Sequence, residues 1–151
     1  LDKKKERQNP AISIVHVEGD LFFGAAELFR TQVQITASDP NLKVIILRLK
    51  NARHLDATSV MALESLVKHM REQGRFVLIS GATREVYKVL KLSGALESIQ
   101  SDCDRSQGET NVFIYAPSNP NLSTRDALIR AQELLGTKTA DIKIFYDPSH
   151  Q

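Results

Sequence analysis

The sequence predicts an α/β fold, a mixed or mostly parallel β-sheet with flanking α-helices and a β-hairpin at its N-terminal end. Two observations carry this. Short β-branched runs of strand length alternate with longer segments of helical spacing, the pattern of strands laid side by side under helices. Two of the runs, "KVIILRL" (43–49) and "RFVLIS" (75–80), are almost continuously apolar, as strands covered on both faces are.

Taken in order, "AISIVHVEG" (11–19) alternates and is β-branched, and Gly19-Asp20 reads as a turn. "LFF" (21–23) follows closely enough to pair back as a hairpin. "AAELFRTQVQITAS" (25–38) has helical spacing at Ala25, Leu28 and Phe29 and stops before Pro40. After the strand at 43–49, the stretch "LDATSVMALESL" opens a helix with Val60, Leu63, Val67 and Met70 on one stripe, closed by Gly74. The strand at 75–80 leads into "GATREVYKVLKLSG", a helix with Thr83 as its N-cap. "GALESI" reads as a short strand, and the polar stretch 100–111 as a long exposed loop or insertion. "VFIYA" is a further strand. "SNPNLSTRDALIRAQELLG" is a helix with a start signal at Ser123, three residues before Asp126, and "DIKIFYD" is a last strand.

Composition narrows the function classes. With 151 residues, 42% hydrophobic and 25% charged, the chain suits one globular domain. A net charge of +2 offers no chain-wide field for nucleic acid, and the absence of Trp weakens any stacking role. No apolar run reaches the roughly 20 residues of a membrane-spanning helix. The single Cys103 lies between Asp102 and Asp104, which disfavour a reactive thiolate. A start at Leu1 in place of Met is expected of a piece of a longer chain. "LDKKKER", with four cations and two anions, fits either a solvated terminus or a segment on the cytoplasmic flank of a membrane helix.

Chemistry in an open α/β sheet gathers where strand carboxyl ends meet helix N-termini. Two such loops carry small or hydroxyl residues, one with Asp56, Thr58 and Ser59, the other with Ser80, Gly81 and Thr83. At the first, a helix cap by Asp56 or Thr58 accounts for the residues, while a phosphate on Thr58 or Ser59 would sit on the same N–H groups with Asp56 beside it. At the second, Thr83 reads as a cap and Gly81 as a site of close backbone approach. No G-x-G-x-x-G, G-x-x-x-x-G-K-[ST], G-x-S-x-G or H-E-x-x-H motif occurs. His16, His54, His69 and His150 show no metal-ligand spacing.

The run "VIILRLKNARHLDATSVMALESLVKHMREQGRFVLISGATREVYKVLKLSGALESI" resembles the STAS domain, shared by sulfate transporters and anti-sigma factor antagonists. "IVHVEGDLFFGAAELF" extends the likeness toward the SulP-type anion permeases. The resemblance implies a non-catalytic regulatory and interaction module, needing no cofactor and receiving at most an anion or a nucleotide phosphate. In the antagonist branch the corresponding loop reads Asp-Ser-Ser-Gly, with the second hydroxyl phosphorylated. Asp56 then matches the acid, Ala57 the first serine, Thr58 the phosphorylated position and Ser59 the glycine. The domain reading that follows is a basic linker at 1–10 from a membrane region, a STAS domain at 11–136 with an insertion at 100–111, and an extension at 137–151 bearing one extra strand. That strand would extend the sheet edge or pair with a second copy. The implied partners are the transmembrane part of the same transporter, a second protomer and a cytosolic regulatory protein, with no nucleic acid. The implied place is the cytoplasmic face of the inner membrane. A stand-alone antagonist phosphorylated at Thr58 is the second reading.

Overall fold

The computed structural model describes residues 11–18, 25–50, 55–136 and 142–146. Its elements are β1 (Ile12–Glu18), α1 (Ala25–Ser38), β2 (Val44–Lys50), α2 (Ala57–Glu72), β3 (Phe76–Ala82), α3 (Arg84–Ser93), α4 (Ala95–Ile99), a 3-10 turn at Arg105–Gln107, β4 (Val112–Ile114), α5 (Leu122–Leu135) and β5 (Ile142–Tyr146). The strands form a five-stranded sheet in the order β4-β3-β2-β1-β5, and every pairing among the described residues is parallel. The expected hairpin partner, Leu21–Phe23, lies outside the described residues, as do the linker 1–10 and His54 and His150. β1 itself is flanked by β2 on one side and β5 on the other.

The layering follows from chain direction. From β1 to β4 each new strand is added on the same side, and right-handed crossovers moving one way deposit their helices on one face. Leu28 and Phe29 of α1, Leu63, Leu66 and Met70 of α2, Leu90 of α3 and Leu96 and Ile99 of α4 accordingly share one core with Val15, Ile45, Leu47 and Ile79. The connection from β4 to β5 runs back past the first four strands, so its helix falls on the other face. Ala127 and Ala131 of α5 pack there against Ile12, Ile14, Val44, Ile46 and Leu78. The near-continuous apolar runs are explained: alternate residues of β2 and β3 feed two cores.

Two local expectations are corrected, and a third is refined at its ends. "ALESI" is helix α4, because Gly94 takes a left-handed φ of +86° and restarts a helix whose Ala95, Leu96 and Ile99 are buried. Ser123 is not the cap of α5; the helix begins at Leu122 after Asn121, and Ser123 is buried inside its first turn. The stretch 100–111 is exposed only in its middle. Gln100 and Asn111, at its ends, are buried. The Gln100 carboxamide oxygen accepts from the Asn111 N–H at 2.6 Å, and the Asn111 amide donates to the Ile99 carbonyl at 3.0 Å. These bonds fasten the ends of the exposed stretch to the body of the domain.

Candidate functional site

At the carboxyl end of β2 the chain enters α2 through Asp56, whose extended backbone (φ −79°, ψ 169°) places its carboxylate over the helix start. Oδ1 accepts from the Ser59 N–H at 2.8 Å, and the Asp56 carbonyl accepts from the Val60 N–H at 3.0 Å. Hydrogen bonds from the Ser59 side chain and backbone hold the carboxyl below its ordinary pKa, so the cap is an anion on the positive end of the helix. Of the two hydroxyls, Ser59 turns inward and is 1% exposed, whereas Thr58 faces solvent. The three expected residues therefore come together, with Asp56 as the cap and Thr58 as the accessible hydroxyl.

The second expected loop is not a loop. Ser80 and Gly81 belong to β3. Ser80 is fully buried, and its hydroxyl lies 3.2 Å from that of Thr124 on α5. Gly81 has φ +78° at an irregularity in the pairing with β4, and a Cβ there would stand 2.3 Å from the Leu49 carbonyl oxygen of β2. The glycine makes room for a neighbouring strand. Gly81 keeps its expected role of close backbone approach, and Thr83 keeps its own, its hydroxyl accepting from the Val86 N–H at 3.2 Å to cap α3. β3 and β4 then send their chains to opposite faces, an arrangement that can open a crevice. Here the Tyr115 N–H closes it by donating to the Ala82 carbonyl at 2.9 Å.

Two groups of residues escape a linear reading. His16, Arg48 and Ser80 each occupy the fifth position of a seven-residue strand, and parallel register aligns them in one row across β1, β2 and β3. Arg48 donates from Nη2 to Asn121 Oδ1 at 3.1 Å, fastening this row to the start of α5. The repeated polar residue two places before each strand end is a signal that the sequence does hold. The second group surrounds Cys103. Arg130, 8% exposed, donates from Nε to Asn111 Oδ1 at 3.1 Å, and its Nη2 lies 3.6 Å from Glu109 Oε1 and 3.7 Å from the Cys103 sulfur. A cation does approach the thiol, from a residue far along the chain. Burial nevertheless pushes the Cys103 pKa up, against the opposing pull of Arg130, so the sulfur stays a neutral thiol at neutral pH.

Among the described residues no group of three or more His, Cys, Asp or Glu side chains could hold a metal ion, and no helix is long and apolar enough to cross a membrane. What the Asp56 turn offers chemically is an exposed hydroxyl on a helix end already occupied by one negative charge.

Among solved structures, a sulfate transporter family protein from Wolinella succinogenes shares the fold, with a TM-score of 0.66 and 24% identity over 84% of this chain and 89% of that one. The SulP transporter STAS domain from Vibrio cholerae matches with a TM-score of 0.56 and 28% identity, covering 81% of this chain and 86% of that one. No curated protein matches the sequence. The sequence profile of the STAS domain matches residues 3–110, more than half of the chain. With its parallel sheet, its Asp-capped α2 and that matched span, the chain belongs to the STAS domain family.

Proposed function

We propose that this domain is the regulatory, non-catalytic interaction module of a SulP-type inorganic-anion transporter, with sulfate as the substrate class, working at the cytoplasmic face of the membrane. The observation that carries the reading is the 28% identity to the SulP transporter STAS domain of Vibrio cholerae across 86% of that domain. The basic segment at 1–7 agrees with a cytoplasmic flank, where Lys and Arg accumulate beside membrane helices. In this reading the turn at Asp56, Thr58 and Ser59 is the contact point. Thr58 presents its hydroxyl to the transmembrane part or a cytosolic regulator, and Asp56 sets the local charge. A phosphate or a bound anion there would change that charge by adding to Asp56 on the same helix end.

Sulfate uptake by cells expressing the gene that encodes this domain tests the proposal. Thr58→Glu lowers uptake at unchanged membrane abundance, while Thr58→Ala stays near the parent. Equal uptake by both variants, and by a chain with the domain deleted, sinks it. The exposure of Thr58 also favours one second reading, an antagonist of an anti-sigma factor switched by phosphorylation at that residue. A cognate kinase with ATP that leaves Thr58 unmodified removes this second reading.

A further inference from the structure

We propose that the groove between the edge strand β4 and helix α5 docks an amphipathic, lysine- or arginine-rich helix of a partner protein, a surface separate from the Asp56 turn. The groove holds about 290 Å³ and is lined by the apolar Phe113 and Ile129 together with the acidic Glu109, Asp126 and Glu133. Ile129 is 44% exposed, and Phe113 is half-buried.

The charge specifies the occupant. Arg130, the one Lys or Arg among the described residues that line the groove, is drawn inward to Asn111, Glu109 and Cys103, so it compensates Glu109 at most. Asp126 and Glu133 make no ion pair among the described residues. A net-positive chain thus keeps a locally acidic groove. Such a surface repels anionic lipid and nucleic acid and attracts a cationic peptide.

The shape specifies a helix over a strand. An added strand would need the outward-facing peptide groups of β4. At Val112 both are already taken: its N–H donates to the Thr110 hydroxyl at 3.2 Å, and that hydroxyl donates to the Val112 carbonyl at 3.1 Å. Gln100 Nε2 holds Thr110 in place by donating to the same oxygen at 2.8 Å. The edge is closed to strand addition there. On this face α5 packs on β2, β3 and β4, with open groove beside it at the β4 edge. A second helix laid there extends that layer, its apolar stripe on Phe113 and Ile129 and its cations beside Asp126 and Glu133.

Titrating the ¹⁵N-labelled full chain with a leucine–lysine peptide of amphipathic helical spacing tests this. Amide shifts concentrated at 107–115 and 125–133, weakened by added salt and absent with the glutamate-for-lysine peptide, support it. The double variant Asp126→Lys/Glu133→Lys, folded by its own spectrum, then binds about tenfold more weakly or worse. Glu72→Lys/Glu85→Lys, on helices of the opposite face, binds as the parent does. Shifts spread over other acidic surfaces, unchanged affinity in the groove variant, or the same groove shifts produced by concentrating the chain without peptide would overturn the proposal.

Discussion

Two helix entrances stand side by side at the carboxyl end of the sheet, and they use the same residue types in opposite ways. At α2 a carboxylate makes the cap, leaving Thr58 in solvent. At α3 the hydroxyl of Thr83 is itself the cap, and the preceding Ser80 and Gly81 are sealed within β3. A hydroxyl committed to a backbone N–H is structural, whereas one relieved of that duty by an adjacent acid is available for contact or modification. The difference lies in which atom the helix recruits, not in how much Ser and Thr each loop contains.

The contrast can be broken most forcefully at Gly81. Gly81→Ala combines a left-handed φ with a Cβ driven into the Leu49 carbonyl, a cost of about 3–5 kcal/mol or outright loss of folding in urea titration. Gly94→Ala is the matched control. Its φ is also positive, but nothing lies within 4 Å of the added Cβ. About 1–2 kcal/mol is expected there. A Gly81→Ala chain as stable as Gly94→Ala would mean that β2 and β3 can part freely.

The caps come next. Thr83→Ala lowers unfolding free energy by about 1 kcal/mol, and Asp56→Ala lowers the thermal midpoint as well. They separate with pH. Because folding lowers the Asp56 pKa, its extra stabilisation is present above the ordinary carboxylate range and fades as pH falls through the lowered value. Asp56→Asn keeps an acceptor without the charge, so the parent's advantage over this variant at pH 7 shrinks in acid melts. Thr83→Ala shows no such trend. An advantage over Asn that persists unchanged in acid would contradict the anionic cap. The smallest effect belongs to Thr58→Ala, within about 0.5 kcal/mol of the parent. A loss matching that of Thr83→Ala would make Thr58 structural after all.

Much of this was legible before any coordinates. β2 and β3 announced themselves because residues feeding two cores leave an unbroken apolar run, and the stripe of Val60, Leu63, Val67 and Met70 marked the buried side of α2. The first loop was legible because N-capping is a local interaction. "ALESI" was not, since a single turn is too short to display a helical period. "SGAT" was half legible: the close approach at Gly81 and the Thr83 cap were expected, but the extent of β3 and the identity of the neighbour, Leu49, needed the other strand. The contact of Arg130 with Cys103 joins residues 27 apart in sequence, beyond any local signal. The row of His16, Arg48 and Ser80 was written in the strands but needed their register to be read.

The placement of β5 bears on how the polypeptide comes to be made. Ile142 pairs with Ile12, so the second neighbour of β1 leaves the ribosome long after β1 itself. The residues matched by the family profile end at position 110, a point at which β1 still has one bare flank. Until synthesis passes Tyr146, that flank is a template for wrong partners, and its closure over so long a chain separation is inherently slow. Nascent chains stalled between these points should depend on chaperones, and release from them should coincide with the emergence of β5.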